Sequence, residues 1–166
     1  GTGAYLGALL DERAGTIQPL AYARGLARAA VKAGTRLFTA SPVVSSESEG
    51  NGWRVGTAGG SVAADWVIVA TNAYTASPWP AVRDEILHLP YFNFATVPLP
   101  DAARRRILPG REGVWDTKTI LSSMRLDRQG RLVFGSVGAL RGTGMAVHRA
   151  WARRELRRLF PFLGDV

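Results

Sequence analysis

The stretch from residue 15 to residue 73 constrains the fold of this chain more than any other part of it. It begins with the pattern of an amphipathic helix, in which apolar residues recur at helical spacing from Leu20 to Val31. Pro19 suits the first helical turn, where its missing N–H costs nothing. Gly34 can take the left-handed conformation that commonly ends a helix. The sequence therefore predicts a helix that begins at Pro19 and ends just before Gly34.

Short strands are predicted to follow this helix. The segments 36–38, 43–46 and 53–57 have the apolar or alternating character of strands, and glycine-rich turns separate them. Residues 66–70, Trp-Val-Ile-Val-Ala, are apolar on both faces, as expected of a strand that is covered on both sides. The small residues 71–73 end this run. Residue patterns alone thus predict a domain of the α/β or α+β class.

The second half of the chain is predicted to be mostly antiparallel. Residues 85–97 have an extended pattern, and Asp101 is a candidate N-cap for a short helix. The segments 120–126 and 131–135 have the character of paired strands, and the turn-forming residues 127–130 join them. A short strand is also expected near residue 114. These elements predict a sheet built around a β-hairpin.

A rigid, proline-containing connection at residues 76–80 marks a change of character along the chain. We place a boundary there and predict three parts. Residues 1–80 form the first domain, residues 81–142 form a lobe of antiparallel strands, and residues 143–166 form a C-terminal helical segment. Glycines between residues 135 and 144 match no phosphate-binding motif and predict a mobile loop.

The composition is that of a folded chain with a basic surface. The chain has 166 residues, of which 46% are hydrophobic, a formal net charge of +8 and no cysteine. The lack of cysteine excludes disulfides and thiolate metal sites and fits a reducing compartment, so a cytoplasmic location is expected. The arginines concentrate in helix-like segments without a nucleic-acid-binding motif, so no nucleic-acid partner is expected. No apolar run is long enough to predict a membrane span.

Residue patterns do not predict a catalytic acid–base pair or a metal site. His88 and His148 have no other ligand-type residue at metal-binding spacing, and each is expected to be structural or exposed. The catalytic residues therefore remain unassigned. This pattern is consistent with a protein whose chemistry is carried by a bound cofactor.

Two stretches carry a resemblance to a known family. The first, residues 15–74, contains GTIQPLAYARGLARAAVKAGTRLF and GWRVGTAGGSVAADWVIVATNAY; the second, residues 94–137, contains FATVPLPDAARRRILPGREGVWDTKTILSSMRLDRQGRLVFGSV. Together they resemble the central part of the glycine oxidase and D-amino-acid oxidase superfamily, and its γ-glutamylputrescine oxidase-like branch in particular. The resemblance implies a fold of α/β plus α+β class, in which a partial, Rossmann-like FAD-binding domain is joined to a mostly antiparallel substrate-binding sheet.

The resemblance also implies site residues. It places the backbone around Val43 and Val44 along the adenine of FAD, and the strand end formed by Ala70, Thr71, Asn72 and Ala73 near the phosphates of the cofactor. It makes Arg125 a candidate to bind a substrate carboxylate, since a guanidinium matches a carboxylate bidentately. An exposed strand arginine is the other interpretation of Arg125. The position two residues earlier, which is often aromatic in the family, is Ser123.

The activity implied for the parent protein is oxidation of a C–N bond in a small amine or amino acid, with hydride transfer to FAD and hydrolysis of the imine. The chain opens on Gly1 without the family's GxGxxG segment, so we expect a fragment that is inactive alone and does not bind FAD tightly. The alternative is a non-catalytic basic binding or interaction module, which would bind acidic partners in a salt-dependent manner.

Overall fold

The computed structural model describes residues 2–75 and 77–164 of the chain. These residues form a mixed α/β structure with two antiparallel sheets, one of three strands and one of four, which confirms the predicted mixed fold class. The chain divides into two compact units. We call residues 19–88 the meander unit, and residues 1–18 together with 89–166 the sheet–helix unit. The predicted domains 1–80, 81–142 and 143–166 are a different division and stay a prediction.

The meander unit begins with helix α1, which spans Pro19–Lys32. The helix begins at the predicted proline. At its end the backbone N–H of Gly34 donates to the carbonyl of Val31 at 3.0 Å, and Gly34 adopts a φ of +96°. A left-handed glycine at this position satisfies carbonyls that the last helical turn leaves without partners. The helix predicted from the sequence is therefore confirmed at both ends.

A three-stranded antiparallel meander follows, with strands in the order β1-β2-β3. Strand β1 spans Val43–Glu49, β2 spans Gly52–Thr57 and β3 spans Gly60–Ala64. Glu49 pairs with Gly52, so the first connection has two residues, and Gly50 takes a φ of +59° there. The strands predicted at residues 43–46 and 53–57 are confirmed, and β1 continues three residues beyond its predicted end.

Two other strands predicted in this unit are wrong. Residues 36–38 and 66–70 are irregular, and Trp66 and Ile68 are 86% and 88% exposed. A strand is stable only when a neighbour supplies its backbone hydrogen bonds, and β3 ends at Ala64, opposite Trp53. Within the described residues no strand pairs with residues 66–70. The chain continues into a 3₁₀ turn, Asn72–Tyr74, and a short helix α2, Pro80–Asp84.

The sheet–helix unit is built around a four-stranded antiparallel sheet. Its elements in chain order are β4 (Tyr91–Pro98), α3 (Asp101–Arg104), β5 (Val114–Trp115), β6 (Ser122–Leu126), β7 (Arg131–Val137), α4 (Gly144–Leu159) and a 3₁₀ turn (Pro161–Leu163). The strand order is β4-β7-β6-β5. The predicted hairpin of β6 and β7 is confirmed, as is the helix predicted after residue 144. The segment predicted to be extended from residue 85 forms a strand only from Tyr91 onward.

The hairpin turn shows how local chemistry fixes this sheet. The Asp127 carboxylate accepts hydrogen bonds from the backbone N–H groups of Gln129 and Arg131, both at 2.9 Å. Gly130 closes the turn with a φ of +77°, and its N–H donates to the carbonyl of Asp127 at 3.1 Å. Aspartate favours such turns because its short side chain bonds to its own backbone two residues on. The turn sets the register that opposes Leu126 to Leu132.

The prediction that Asp101 caps helix α3 is wrong. The N-cap residue is Pro100, and Asp101 is the first helical residue and makes no capping hydrogen bond. Its carboxylate instead pairs with the guanidinium of Arg104, one turn later. A carboxylate in the first turn still interacts favourably with the positive end of the helix dipole.

Helices α3 and α4 cover one face of the four-stranded sheet. The hydrophobic core lies between that face and the two helices. The buried residues of this core are Leu99, Ala103, Ile107, Met124, Leu126, Leu132, Phe134, Ala152, Leu156, Leu159 and Phe160. The Trp151 ring lies 5.3 Å from that of Phe134, and the His148 ring stacks on Phe92 at 4.6 Å. Full burial of one such side chain contributes about 1.5–3 kcal/mol. His148 is thus a packing residue of the core boundary.

None of the helices in residues 2–75 and 77–164 is both long enough and apolar enough to cross a membrane.

Candidate functional site

The face of the four-stranded sheet opposite this core is the candidate site. Successive side chains of a strand point to opposite faces, so the residues between the buried ones of β6 and β7 share this second face. We call it the open face and define it by Tyr91, Asn93, Trp115, Ser123, Arg125, Val133 and Gly135. Tyr91 is 45% exposed and Trp115 is 68% exposed, while Ser123 and Arg125 are half-buried.

Two hydroxyl groups meet on the open face. The Tyr91 Oη and Ser123 Oγ atoms lie 2.7 Å apart, and either can be the donor. The two residues come from β4 and β6, so this hydrogen bond crosses the intervening strand β7. Gly135 of β7 lies between Asn93 and Ser123 in the register of the sheet.

Gly135 makes room for this crossing. A Cβ atom at Gly135 would lie 2.8 Å from Cε1 of Tyr91 and 2.6 Å from Oδ1 of Asn93. Side chains essentially never approach a Cβ so closely, so the tyrosine ring could not keep its place above β7 if residue 135 were larger. Glycine inside a strand often marks such a close approach.

Arg125 lies beside this hydroxyl pair. It stands two residues after Ser123 on β6, opposite Val133, and therefore on the same face of the sheet. Within the described part of the chain it forms no ion pair with a carboxylate. A half-buried guanidinium without a counter-ion attracts anions. With the two hydroxyl groups nearby, this corner of the open face has the hydrogen-bonding groups needed to bind a carboxylate.

A buried carboxylate holds the start of strand β6, next to Ser123. Asp116, whose side chain is 4% exposed, accepts hydrogen bonds from the Ser122 hydroxyl at 2.7 Å and the Ser122 N–H at 3.1 Å. Burial alone would raise the pKa of Asp116, but the hydrogen bonds from Ser122 and the charge of Lys118 lower it below its ordinary value. Lys118 Nζ lies 3.6 Å from Asp116 and 3.8 Å from Glu155 of α4, so the start of β6 is tied to the helix layer.

The residues predicted along the adenine lie at the start of β1. Val43 pairs with Thr57, and the register shifts between Val43 and Ser45. Such a shift is typical of a β-bulge, which bends a strand and redirects its side chains. Val43 is half-buried and Val44 is 60% exposed.

The residues predicted near the cofactor phosphates form an exposed corner. Ala70, Thr71, Asn72 and Ala73 are all exposed, and Asn72 has a left-handed φ of +48°. The corner is held by Thr75, which is buried: its hydroxyl lies 2.7 Å from that of Thr71 and donates to the carbonyl of Asn72 at 2.7 Å. The role predicted for these residues near the cofactor phosphates stays a prediction.

The predicted site residues thus lie in both units: Val43, Val44 and residues 70–73 in the meander unit, and Arg125 in the sheet–helix unit. Within the meander unit they occupy two separate elements. Sequence reasoning missed Tyr91, Gly135 and Thr75. A glycine inside a predicted strand was the one signal available for Gly135.

No group of three ligand-type side chains suited to a metal ion occurs in residues 2–75 and 77–164.

Comparison with known proteins identifies the family to which this chain belongs. Residues 1–166 match the profile of the DAO family of FAD-dependent oxidoreductases, so the chain belongs to that family and the predicted resemblance is confirmed. FAD is the cofactor on which this family depends.

Two relatives agree with this assignment. The chain is 33% identical to a protein of Haemophilus influenzae and 30% identical to one of Rhizobium meliloti, each named probable oxidoreductase OrdL. Both alignments cover 100% of the chain but 38% of the relative, so the chain spans less than two fifths of the length of either protein. No solved structure matches the chain at a comparable level of significance.

Proposed function

We propose that the whole protein oxidises the C–N bond of a small amine or amino acid, and that the open face of this chain faces the substrate. Membership of the family supports an FAD-dependent oxidoreductase. The observation that carries the finer proposal is the grouping of Arg125, Ser123 and Tyr91 on the face of the sheet that α3 and α4 leave uncovered. When bound, FAD would supply the acceptor for the hydride that leaves the substrate carbon. The substrate nitrogen would lose a proton to solvent, and water would hydrolyse the imine product.

In this proposal the polar corner of the open face binds and orients the substrate. The Arg125 guanidinium donates to a substrate carboxylate, since its planar fork matches the two oxygens. The Tyr91 and Ser123 hydroxyl groups, already paired at 2.7 Å, offer one further donor and additional lone pairs. An amino acid therefore suits this corner better than an amine without a carboxylate.

The proposed FAD contacts come from the meander unit. Val43 and Val44 would lie along the adenine, and residues 70–73 near the phosphates. The exposure of the corner and the left-handed backbone of Asn72 support this assignment, because both let main-chain groups approach a ligand. We propose further that this chain alone is inactive and that the whole protein works in the cytoplasm; the absence of cysteine from these 166 residues is consistent with a reducing compartment.

Anaerobic mixing of the flavin-loaded whole protein with candidate substrates tests the reaction class. Loss of the oxidised flavin absorbance with an amino acid, but not with the 2-hydroxy acid of the same carbon skeleton, is the expected result. If only the hydroxy acid reduces the flavin, the protein oxidises a C–O bond and the proposal of C–N oxidation is wrong.

The Arg125→Gln variant tests the substrate contact. We expect KM for an amino acid to rise about tenfold or more, as for loss of one charge-assisted hydrogen bond, while KM for the decarboxylated amine is unchanged. Arg128→Gln, in the exposed hairpin turn, removes the same charge and serves as the matched control. If both substitutions change KM for the amino acid equally, Arg125 does not contact the substrate and is an exposed strand arginine.

A further inference from the structure

A second polar site lies in the sheet–helix unit, on the side of the sheet where helix α3 meets the hairpin turn. It is a groove of about 410 Å³. Its walls include three arginines and one carboxylate, together with apolar side chains and a glycine. The residues that matter here are Arg104, Arg105, Arg111, Asp101, Leu108 and Gly130. We call it the arginine groove.

The groove carries a net positive charge. Asp101 pairs with Arg104. Arg105 and Arg111 are exposed and form no ion pair with a carboxylate within the described residues. Two arginines without counter-ions thus line one groove, and their positive charges attract an anion.

Arg104 lines the groove with a partly exposed side chain, which packs over Gly130. Gly130 is buried beneath it, and a Cβ there would lie 2.8 Å from both Cδ and Nη1 of Arg104. The guanidinium therefore lies in space that only a glycine leaves open. Its Nε is buried and has no hydrogen-bond acceptor. A buried donor without a partner is costly, and such groups often mark a position where an ion or ligand supplies the acceptor.

The rim of the groove is strained. Leu108 and Arg111 adopt left-handed φ values of +48° and +60°, which side chains other than glycine rarely take. Both residues line the groove, and the Arg111 N–H donates to the carbonyl of Leu108 at 2.8 Å across Pro109 and Gly110. Strained residues persist where the surrounding structure holds them, and they cluster at ligand-binding sites. Here the strained turn brings Arg111 to the same groove as Arg104 and Arg105.

We propose that the arginine groove binds a small organic anion with two or more negative charges, such as a phosphate monoester or a dicarboxylate. Arginine suits both, because its fork donates two parallel hydrogen bonds to phosphate or carboxylate oxygens. The apolar side chain of Leu108 contacts the carbon skeleton of the ligand. A volume of 410 Å³ accommodates a small metabolite but not a folded partner. This site is separate from the open face and does not depend on flavin binding.

Titration calorimetry of the purified protein with inorganic phosphate, and separately with succinate, tests the site. We expect saturable binding of at least one probe, and the tighter of the two identifies the ligand class as phosphate or dicarboxylate. The double variant Arg105→Gln, Arg111→Asn should weaken that binding about tenfold or more, as for loss of charge-assisted hydrogen bonds. Asparagine is chosen at position 111 because it tolerates the left-handed backbone better than most residues.

The matched control is Arg153→Gln, Arg154→Gln. These two arginines are exposed on α4 and do not line the groove, and their replacement lowers the net charge by the same amount. The control should bind the probe like the unaltered protein. Equal weakening in both double variants would show general attraction to a basic chain, and no saturable binding of either probe would also overturn the proposal. Circular dichroism of each variant checks that the fold is retained.

Discussion

The hydroxyl oxygens of Tyr91 and Ser123 lie 2.7 Å apart, although strand β7 separates the two strands that carry them. Gly135 is the residue of β7 that this contact crosses. The open face thus depends on the absence of a side chain at one position. The consequences can be tested without knowledge of the substrate.

Replacing Gly135 with alanine should destabilise the sheet–helix unit by about 1–3 kcal/mol, the usual cost of forcing extra atoms into a packed site. The new Cβ would meet the Tyr91 ring, the Asn93 side chain and the Phe92 carbonyl at 2.6–2.8 Å, and two of these three belong to the side chains of the open face. Urea denaturation measures the loss. Gly25→Ala, on α1, meets nothing closer than 4.0 Å and should be neutral or slightly stabilising. A Gly135→Ala variant as stable as the original would show that the ring is free to move away.

The hydroxyl contact itself should contribute modestly. A double-mutant cycle of Tyr91→Phe and Ser123→Ala isolates the interaction between the two groups. We expect a coupling free energy of about 0.5–1.5 kcal/mol, at the lower end because Tyr91 is 45% exposed. Urea denaturation of the four proteins in the cycle gives this value. Additive single effects would mean that water satisfies both hydroxyl groups equally well.

Asp116 should make the sheet–helix unit sensitive to acid. Its folded-state pKa lies below the ordinary value, because the hydrogen bonds from Ser122 and the charge of Lys118 outweigh the opposing effect of burial. A carboxylate of this kind contributes stability that is fully present above its unfolded-state pKa, about 3.9, and is lost as the pH falls through the folded-state pKa.

Asp116→Asn tests this dependence. At pH 7 the variant should be less stable than the original protein by about 1–3 kcal/mol, since Ser122 loses a charged acceptor in a buried place. The difference should shrink as the pH falls below about 4, because the carboxylate takes up a proton in the unfolded state first and in the folded state only at lower pH. Asp84→Asn, which removes an exposed ion pair with Arg83, should change stability by less than about 1 kcal/mol. A stability difference for Asp116→Asn that does not vary with pH would contradict the electrostatic explanation.

The sequence correctly predicted the helices and strands whose ends are set by residues close to them in the chain. Pro19 and Gly34 fixed α1, and the turn from Asp127 to Gly130 fixed the central hairpin. The predicted strand at residues 66–70 failed because burial on both faces depends on neighbouring strands, which a run of apolar residues cannot specify.

The candidate site likewise contains some residues that were indicated before the structure was known and others that were not. The family resemblance made Arg125 a candidate to bind a substrate carboxylate, and that role stays a prediction. Its neighbour Tyr91 was not identified, because Tyr91 is 32 residues from Ser123 and meets it only through the register of three strands. The role of residues 70–73 near the cofactor phosphates was implied by the family resemblance, and these residues were expected to end a strand. The supporting hydroxyl of Thr75 follows from the 3₁₀ turn that the sequence did not indicate.

The proposed cofactor corner predicts a specific role for the backbone of Asn72. Its φ of +48° is accessible to glycine and asparagine but strained for a β-branched residue, and its side chain is exposed, so substitutions act mainly through the main chain. Asn72→Val should weaken the affinity of the flavin-free whole protein for FAD by about five- to thirtyfold. The flavin-free variant relieves the strain by leaving the left-handed conformation, and binding has to restore that conformation at a cost of roughly 1–2 kcal/mol. Asn72→Gly should leave the affinity close to that of the original protein, because glycine adopts the same conformation freely. Equilibrium dialysis with FAD measures all three proteins without any substrate. If valine and glycine give the same affinity as asparagine, the corner at residues 70–73 does not approach the cofactor.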